Sequence, residues 1–163
     1  MGNPELPYLH RWILILFGRS IRLHHWIYSD DNRFFHDHAC NFISIVLKGW
    51  YYNVVPLNEN DSDVTKCQRI KVKAGDVWKS NALSKHYLEI PPSGAWTILF
   101  QGKKYHKWGF YVNGHKWRPL RYFHKFGIIQ NKDYWNQNTN NFMLASARKS
   151  HYNIGKQAEA RMD

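Results

Sequence analysis

Short segments rich in β-branched and aromatic residues, separated by turn residues, most limit what this chain can fold into. Residues 11–17 and 21–28 flank Gly18-Arg19-Ser20, a pattern that predicts an opening β-hairpin. Comparable segments recur over the first 126 residues, about eight in all, and this spacing is typical of an antiparallel sandwich or barrel.

One of these strands is expected to be long and bent. Residues 42–47 and 50–55 are both rich in β-branched and aromatic side chains. The Lys48-Gly49 pair between them indicates a bend or bulge within a single strand. The following residues, 57–66, are polar and acidic and predict a surface loop.

Helix signals lie only near the C-terminus. Residues 142–149 predict a short helix and residues 156–162 a polar tail, after an Asn-rich linker at 131–141. We therefore predict an all-β domain, a single antiparallel β-barrel, over residues 1–126. Residues 127–163 are expected to be a partly flexible extension made of a loop and a short helix.

Composition excludes several classes of protein. The 163 residues are 44% hydrophobic and 17% aromatic, which is ample for a folded core. The longest apolar run, from Trp12 to Phe17, is far shorter than the roughly 20 residues of a membrane-spanning helix. Two cysteines, Cys40 and Cys67, are too few for a disulfide scaffold. These observations predict a cytoplasmic protein without a membrane partner.

Positive charge is concentrated in one stretch. The net charge is +11, and residues 101–126 contribute seven cations without any acidic residue. Aromatic side chains interleave with these cations. Either the aromatics pack inward from a half-buried strand, or they stack on the bases of a nucleic acid while the cations neutralise its phosphates. The cations are Lys103, Lys104, Lys107, Lys116, Arg118, Arg121 and Lys125.

Three histidines carry the clearest chemistry. His36 and His38 precede the long strand, and residues two apart in an extended segment project from the same face, about 6 to 7 Å apart at Cα. Two imidazoles placed in this way can bind one metal ion. A third histidine, His86, lies in a matching frame further along the chain.

The first of these segments resembles the first motif of the cupin superfamily. That motif has His-x-His, then a Glu four residues later and a Gly seven residues after the Glu. This chain has His36, His38 and Gly49 in register, with Phe42 in the position of the Glu. The first motif is therefore kept except for its carboxylate.

The second segment resembles the second cupin motif, which runs from a Gly to a His eleven residues later. Gly75 and His86 are in register, whereas Asn81 and Leu83 replace the Pro and Gly of the motif. Over residues 6–126 the chain also resembles small cupin-like proteins of phage and bacterial genomes. The segments that carry this likeness are Ser29-Asp30-Asp31, His36-Asp37-His38, Ala95-Trp96-Thr97 and Lys107-Trp108-Gly109-Phe110.

The resemblance implies a cupin-type jelly roll with a mononuclear metal site. A set of three histidines without a carboxylate is similar to that of the thiol dioxygenases, so His36, His38 and His86 are the implied ligands. Fe(II) would suit an oxygenase, and Zn, Ni or Mn would suit hydrolysis or isomerisation. Because no carboxylate reduces the charge of the ion, a small anionic substrate is favoured, with Arg22 and Arg33 as a second clamp.

Two further residues have alternative interpretations. His24, on the second predicted strand, either supports the ligands by a hydrogen bond or is a packed core histidine. Cys40 is in phase with His36 and His38, and either lines the same cavity or is a buried small hydrophobe.

Two functions stay open at this point. The first is an Fe(II)-dependent, dioxygenase-like enzyme. The second is a non-catalytic cupin-fold binding or structural protein, associated with phage, whose basic stretch at 101–126 binds nucleic acid or an assembly partner. A homodimer formed through an edge strand is a further expectation.

Overall fold

A computed structural model describes residues 7–30 and 33–127, which form nine β-strands and one short helix. The predicted all-β fold is confirmed. The predicted helix at 142–149 and the rest of 128–163 lie outside the described residues. The elements in chain order are β1 (Leu9–Leu16), β2 (Arg19–Trp26), β3 (Phe42–Pro56), β4 (Cys67–Lys73), β5 (Val77–Ser80), β6 (Tyr87–Glu89), β7 (Ala95–Gln101), β8 (Phe110–Val112), β9 (His115–Trp117) and α1 (Pro119–Phe126).

The first two strands form the predicted opening hairpin. β1 and β2 pair antiparallel, with Leu16 opposite Arg19, so the loop consists of Phe17 and Gly18 alone. Both loop residues have positive φ, 50° and 74°. A type I′ turn requires positive φ at both positions, and its twist matches that of the flanking strands.

The long strand β3 carries the predicted irregularity. Its pairing with β7 shifts in register between Val46 and Lys48. Gly49 follows with φ of 78°, and a Cβ there would lie 2.5 Å from the carbonyl oxygen of Gly94. Only glycine fits this close approach, so the bulge is built into the sequence at Lys48-Gly49.

Strand β3 is the centre of the main sheet. β4 pairs with its C-terminal half and β5 with its N-terminal half, and the turn between them lies beside the bulge. β6 and β7 follow the same scheme, with β6 on the C-terminal half and β7 on the N-terminal half. Beyond β7 come β2 and then β1.

Connection lengths require β3 to fold back on itself. β5 ends with Ser80 opposite Phe42, and β6 begins with Tyr87 opposite Val54. A straight strand from Phe42 to Val54 would span about 40 Å. The chain from Ser80 to Tyr87 reaches about 25 Å at most. The sheet is therefore curled, and the two halves of β3 face each other across its interior.

The concave face of this sheet is the interior. Facing residues of β2 and β7 bury His24 with Thr97 and Trp26 with Ala95. The indole N–H of Trp26 donates to Oγ1 of Thr97 at 3.2 Å. Trp26 and Ala95 also belong to the main apolar cluster, with Val46, Tyr51, Val72, Leu88 and Ile90.

A short helix follows the β8–β9 hairpin, at a place where the sequence analysis predicted none. α1 begins at Pro119 and ends before Gly127, which has φ of 68°. Its Tyr122 is fully buried and stacks on Phe110 at a centroid distance of 3.9 Å. Among the described residues no helix is long and apolar enough to cross a membrane.

Candidate metal centre

Backbone hydrogen bonds bring the two histidine motifs side by side. The N–H of His36 donates to the carbonyl of His86, and the N–H of His86 donates to the carbonyl of His36, both at 3.0 Å. The N–H of His38 donates to the carbonyl of Ala82 at 2.9 Å. These bonds hold the segment around His36 against the residues that lead into β6.

The three predicted histidines converge on one point. One ligand nitrogen from each of His36, His38 and His86 lies within 4.8 Å of the others. Nε2 of His38 and Nε2 of His86 are only 2.6 Å apart, so the two rings point at the same place. The structure thus joins residues 48 positions apart in the chain.

Asn53 on β3 orients His86. Its Oδ1 lies 2.5 Å from Nδ1 of His86, and since an amide oxygen can only accept, Nδ1 carries the proton. Nε2 of His86 therefore presents a lone pair to the cluster. Asn53 is 1% exposed. The sequence analysis missed it, although a lone amide within the apolar run around β3 is a signal, because buried polar groups need partners.

Burial keeps two of the three imidazoles neutral. It is the main cause that lowers the pKa of His38 and of His86 well below 6.5, and the neighbouring histidines lower both further. Nδ1 of His36 is buried and has no hydrogen-bond partner in the described part of the chain. Neutral imidazoles with free nitrogens are the form that binds divalent metal ions, so these residues fit such an ion.

Apolar rings surround the cluster. The ring of Phe42, in the position of the cupin Glu, lies 4.7 Å from that of His38. The rings of Phe110 and Trp108 lie 5.7 and 6.4 Å from that of His36. An apolar ring thus stands where the motif has its carboxylate, while the carboxylate of Asp30 lies 4.0 Å from Nε2 of His36.

Arg22 lies beside the cluster on the interior side of β2. Its charge contributes to the lowered pKa of His38 and opposes the burial that raises the pKa of the Cys40 thiol. Its Nε donates to Oγ of Ser20 at 3.1 Å. No carboxylate of the described residues pairs with Arg22, and burial lowers the pKa of its guanidinium.

Arg33, the second predicted anion clamp, makes a different contact. Its two terminal nitrogens donate to the carbonyls of Phe126 at 2.7 Å and Gly127 at 2.9 Å. Its guanidinium also lies over the ring of Tyr122. Phe126 is the last residue of α1 and Gly127 follows it, and carbonyls at a helix C-terminus need donors, so Arg33 holds this end of the helix.

His24 and Cys40 are both buried, at 3% and 2% exposure. Neither ring nitrogen of His24 has a hydrogen-bond partner among the described residues, and burial lowers its pKa to about 3. Its imidazole packs edge-on against Trp26. Neither residue belongs to the group of converging ligand atoms.

Asp37 points away from its flanking histidines into a network of its own. Its fully buried carboxylate accepts hydrogen bonds from the N–H of Gly109 at 2.7 Å, from Nε2 of His106 at 2.8 Å and from the hydroxyl of Tyr111 at 3.0 Å. It also forms an ion pair with Nζ of Lys116. This network, which the sequence analysis missed, fastens the histidine segment to the basic stretch.

The basic stretch divides between packing and surface. Its aromatics mostly pack inward, and Phe110 and Tyr122 are buried, whereas Tyr105 is 65% exposed. The ammonium group of Lys116 forms an ion pair with the carboxylate of Asp37. Lys116 is itself an exposed residue, and so are the other six predicted cations, namely Lys103, Lys104, Lys107, Arg118, Arg121 and Lys125. The buried rings are not available to stack on nucleic-acid bases.

Comparisons with known proteins address the fold alone. No protein-family model matches the sequence, and no curated protein matches it. Among solved structures, the chain is similar to hydroxypropylphosphonic acid epoxidase from S. wedmorenis, at 12% identity and a TM-score of 0.48 over 60% of this chain and 52% of that one. Fe(II)-HppE with the alternative substrate (S)-1-HPP gives 12% identity and a TM-score of 0.49, over 63% and 53% of the two chains.

A cupin superfamily protein from Desulfitobacterium hafniense is also similar, at 12% identity and a TM-score of 0.43 over 59% of this chain and 78% of that one. The chain spans about half the length of the two structures named before it. Likenesses at these scores carry no argument about activity. The curled antiparallel sheet and the convergence of both histidine motifs carry the fold assignment. The chain therefore has a cupin-like all-β fold that brings three histidines together in its interior.

Proposed function

We propose that this protein is a mononuclear metal enzyme, an Fe(II)-dependent oxygenase of dioxygenase type that acts on a small anionic substrate. His36, His38 and His86 hold the ion. The observation that carries the proposal is the convergence of three imidazoles, whose ligand nitrogens lie within 4.8 Å of one another, from two segments far apart in the chain. The resemblance to three-histidine thiol dioxygenases favours iron over Zn, Ni or Mn.

Each residue around the ion has a definite task. When bound, Fe(II) supplies open coordination positions for substrate and dioxygen. Asn53 keeps the proton of His86 on Nδ1, so Nε2 stays available as a ligand. Phe42 and Trp108 shield the cluster from water. Three neutral ligands leave the positive charge of the ion uncompensated, which favours an anion.

Arg22 is the proposed second contact for that anion. It is a partly buried cation near His38 without a carboxylate partner in the described part of the chain. A buried cation of this kind is stabilised when an anion binds it. We expect Arg22→Met to raise KM about 10- to 100-fold, the loss of one charge-assisted hydrogen bond, with a smaller change in kcat.

Metal content tests the proposal first. Protein purified without an affinity tag is analysed for metals as wild type, as the His36→Ala/His86→Ala double variant and as His115→Ala, which removes an exposed histidine of β9. We expect about one equivalent of iron in wild type and His115→Ala and none in the double variant. Circular dichroism checks that each variant is folded.

Oxygen uptake then tests catalysis. Iron-loaded protein is screened with thiols and other small acids, and turnover should disappear in the double variant. Folded wild-type protein that binds neither Fe, Zn, Ni nor Mn would contradict the metal site. Iron binding without uptake on any acid tested would contradict the oxygenase while leaving the metal site intact.

A second candidate is the non-catalytic binding protein. The observation in its favour is the group of six exposed cations between residues 103 and 125, in a stretch without acidic residues. Binding to single-stranded nucleic acid with a steep dependence on salt would support it. A Lys103→Ala/Lys104→Ala/Lys107→Ala variant should then bind more weakly, while metal content stays unchanged.

A cytoplasmic location and an association with phage are also part of the proposal. Cys40 and Cys67 are free thiols, as expected in a reducing compartment. The phage association rests on the resemblance alone. Expression of the tagged chain followed by fractionation of the host cell tests the location.

A further inference from the structure

The interior face of the β1–β2 hairpin carries two arginines and a histidine. Arg11 lies opposite His24 in the register of the two strands, and Arg22 lies two residues before His24 on β2. Residues that are opposite each other, or two apart in one strand, project from the same face of a sheet. Arg11 and Arg22 therefore occupy diagonal positions, with Cα atoms about 7 to 8 Å apart, and their long side chains can reach a common point.

No acidic group compensates these two arginines within the described part of the chain. Among residues 7–30 and 33–127, neither Arg11 nor Arg22 forms an ion pair. Nε of Arg22 donates to Oγ of Ser20 at 3.1 Å, and its terminal nitrogens have no acceptor among those residues. Burial, and then the charge of Arg11, lower the pKa of Arg22, so the two cations lie close enough to repel each other.

His24 lies beside both arginines and lacks a partner as well. It is 3% exposed, and neither ring nitrogen has a hydrogen-bond partner among the described residues. Burial and the charges of Arg11 and Arg22 lower its pKa to about 3, so the ring is neutral and carries one N–H donor. Buried polar groups of native proteins have partners. The hairpin thus gathers guanidinium and imidazole donors to which the described residues offer no acceptor.

We propose that Arg11, Arg22 and His24 form a subsite for a phosphate monoester group of the substrate. The link to a substrate rests on the proposed function, which places a small anion at the metal centre. A phosphate monoester carries about 1.5 to 2 negative charges at pH 7 and has three strong acceptor oxygens. Two guanidiniums and one imidazole N–H match both this charge and these oxygens. A carboxylate, with one charge and two oxygens, would leave one arginine uncompensated.

The subsite lies next to the metal centre. After burial and the charge of His36, the charge of Arg22 also lowers the pKa of His38, so this arginine acts on the cluster at short range. Arg11 is exposed and Arg22 is half-buried, so the subsite opens to solvent. One small molecule can therefore place its phosphate group on the arginines and its reacting end at the ion. Arg11 takes the role that the sequence analysis gave to Arg33.

Isothermal titration calorimetry of the full chain with inorganic phosphate, at fixed ionic strength, tests the subsite. Wild type should bind phosphate about tenfold or more tightly than acetate, since phosphate engages both arginines. Arg11→Met and Arg22→Met should each weaken phosphate binding about 10- to 100-fold, the loss of a charge-assisted hydrogen bond. His24→Leu removes a neutral donor and should weaken it about 2- to 10-fold. Arg19→Met, at an exposed arginine on the opposite face of β2, is the matched control and should bind as wild type does.

The His36→Ala/His86→Ala variant separates this inference from the proposed function. It should lose the metal ion and keep its affinity for phosphate within about tenfold, because neither histidine belongs to the subsite. Loss of phosphate binding in the folded variant would make phosphate a ligand of the ion and overturn the subsite. Wild type that binds phosphate but no metal would contradict the proposed function alone.

Other results would also overturn the subsite. Wild type could fail to bind phosphate or bind acetate as tightly, and Arg11→Met could bind as wild type does. Equal losses for Arg19→Met and Arg11→Met would reduce the effect to general attraction by the net charge of +11. Circular dichroism checks that each variant is folded. Because Arg11 is exposed, Arg11→Met gives the decisive comparison even where a variant at the half-buried Arg22 does not fold.

Discussion

The two sides of the His36-Asp37-His38 segment differ in every electrostatic respect. On one side, His36 and His38 meet His86 in a group of imidazoles, and burial keeps His38 and His86 neutral. On the other side, the Asp37 carboxylate is fully buried and is compensated by the ammonium group of Lys116 and by three other donors.

This difference shows how a short extended segment can place an anchoring carboxylate and metal-ligating imidazoles on opposite faces. Alternation sends adjacent side chains to opposite faces, so a charged anchor and neutral ligands can follow each other in sequence without contact. The anchored side has its hydrogen bonds satisfied within the fold. The imidazole side keeps one nitrogen, Nδ1 of His36, that has no hydrogen-bond partner among residues 7–30 and 33–127, and that is the side open to a ligand.

The largest expected effect comes from the anchored side. Asp37→Asn removes a buried charge that pairs with the partly exposed Lys116 and takes an acceptor from buried donors, and leaving such donors unsatisfied costs about 1 to 3 kcal/mol. We expect the free energy of unfolding in urea to fall by about that amount. Fe(II) affinity of the folded fraction should change less than tenfold if the two sides are independent.

A matched surface pair sharpens that result. Lys66 lies 3.9 Å from Asp61, but its side chain is 65% exposed. Lys66→Ala should therefore change the free energy of unfolding by less than about 1 kcal/mol. Equal losses for Asp37→Asn and Lys66→Ala would show that the buried network is no anchor.

The next effect lies on the imidazole side. Asn53→Leu removes the acceptor that keeps the His86 proton on Nδ1, and loss of such a contact lowers metal affinity about 10- to 100-fold. Competition titration with Co(II) measures the change. Asn53→Asp keeps an acceptor and should retain wild-type affinity within a few fold. If both variants bind alike, Asn53 does not orient His86.

The smallest effect concerns the buried histidine of β2. The pKa of His24 is about 3 in the folded protein, so below pH 6.5 the unfolded chain binds more protons than the folded one. The free energy of unfolding should therefore fall as the pH falls. His24 contributes a loss of about 1.4 kcal/mol between pH 7.5 and pH 5.5.

The His24→Leu variant isolates this contribution. Urea titrations at the two pH values should show a smaller loss in the variant than in wild type, by about 1.4 kcal/mol. His38 and His86 contribute to the loss in both proteins and cancel in the comparison. An identical pH dependence in the two proteins would show that folding does not lower the pKa of His24.

Local sequence signals predicted much of the fold because they act within one strand. The opening hairpin, the bulge at Lys48-Gly49 and the polar loop after β3 are each encoded by neighbouring residues. Helix α1 was missed because its aromatics, Tyr122 and Phe126 among them, continue an alternation of aromatic and basic residues that resembles a strand.

By itself, the sequence determined which residues are strand-forming, where β3 bends and which three histidines share a frame. The tertiary structure decided the partners. In it, Asn53 forms a hydrogen bond with His86 and Lys116 forms an ion pair with Asp37. Arg33 donates to the carbonyl of Phe126 at the end of α1. The physical reason is the sequence separation over which each kind of interaction acts. Strand alternation and turn geometry act over a few residues, whereas these contacts join residues 33 to 93 positions apart and depend on sheet register and on the curl of β3.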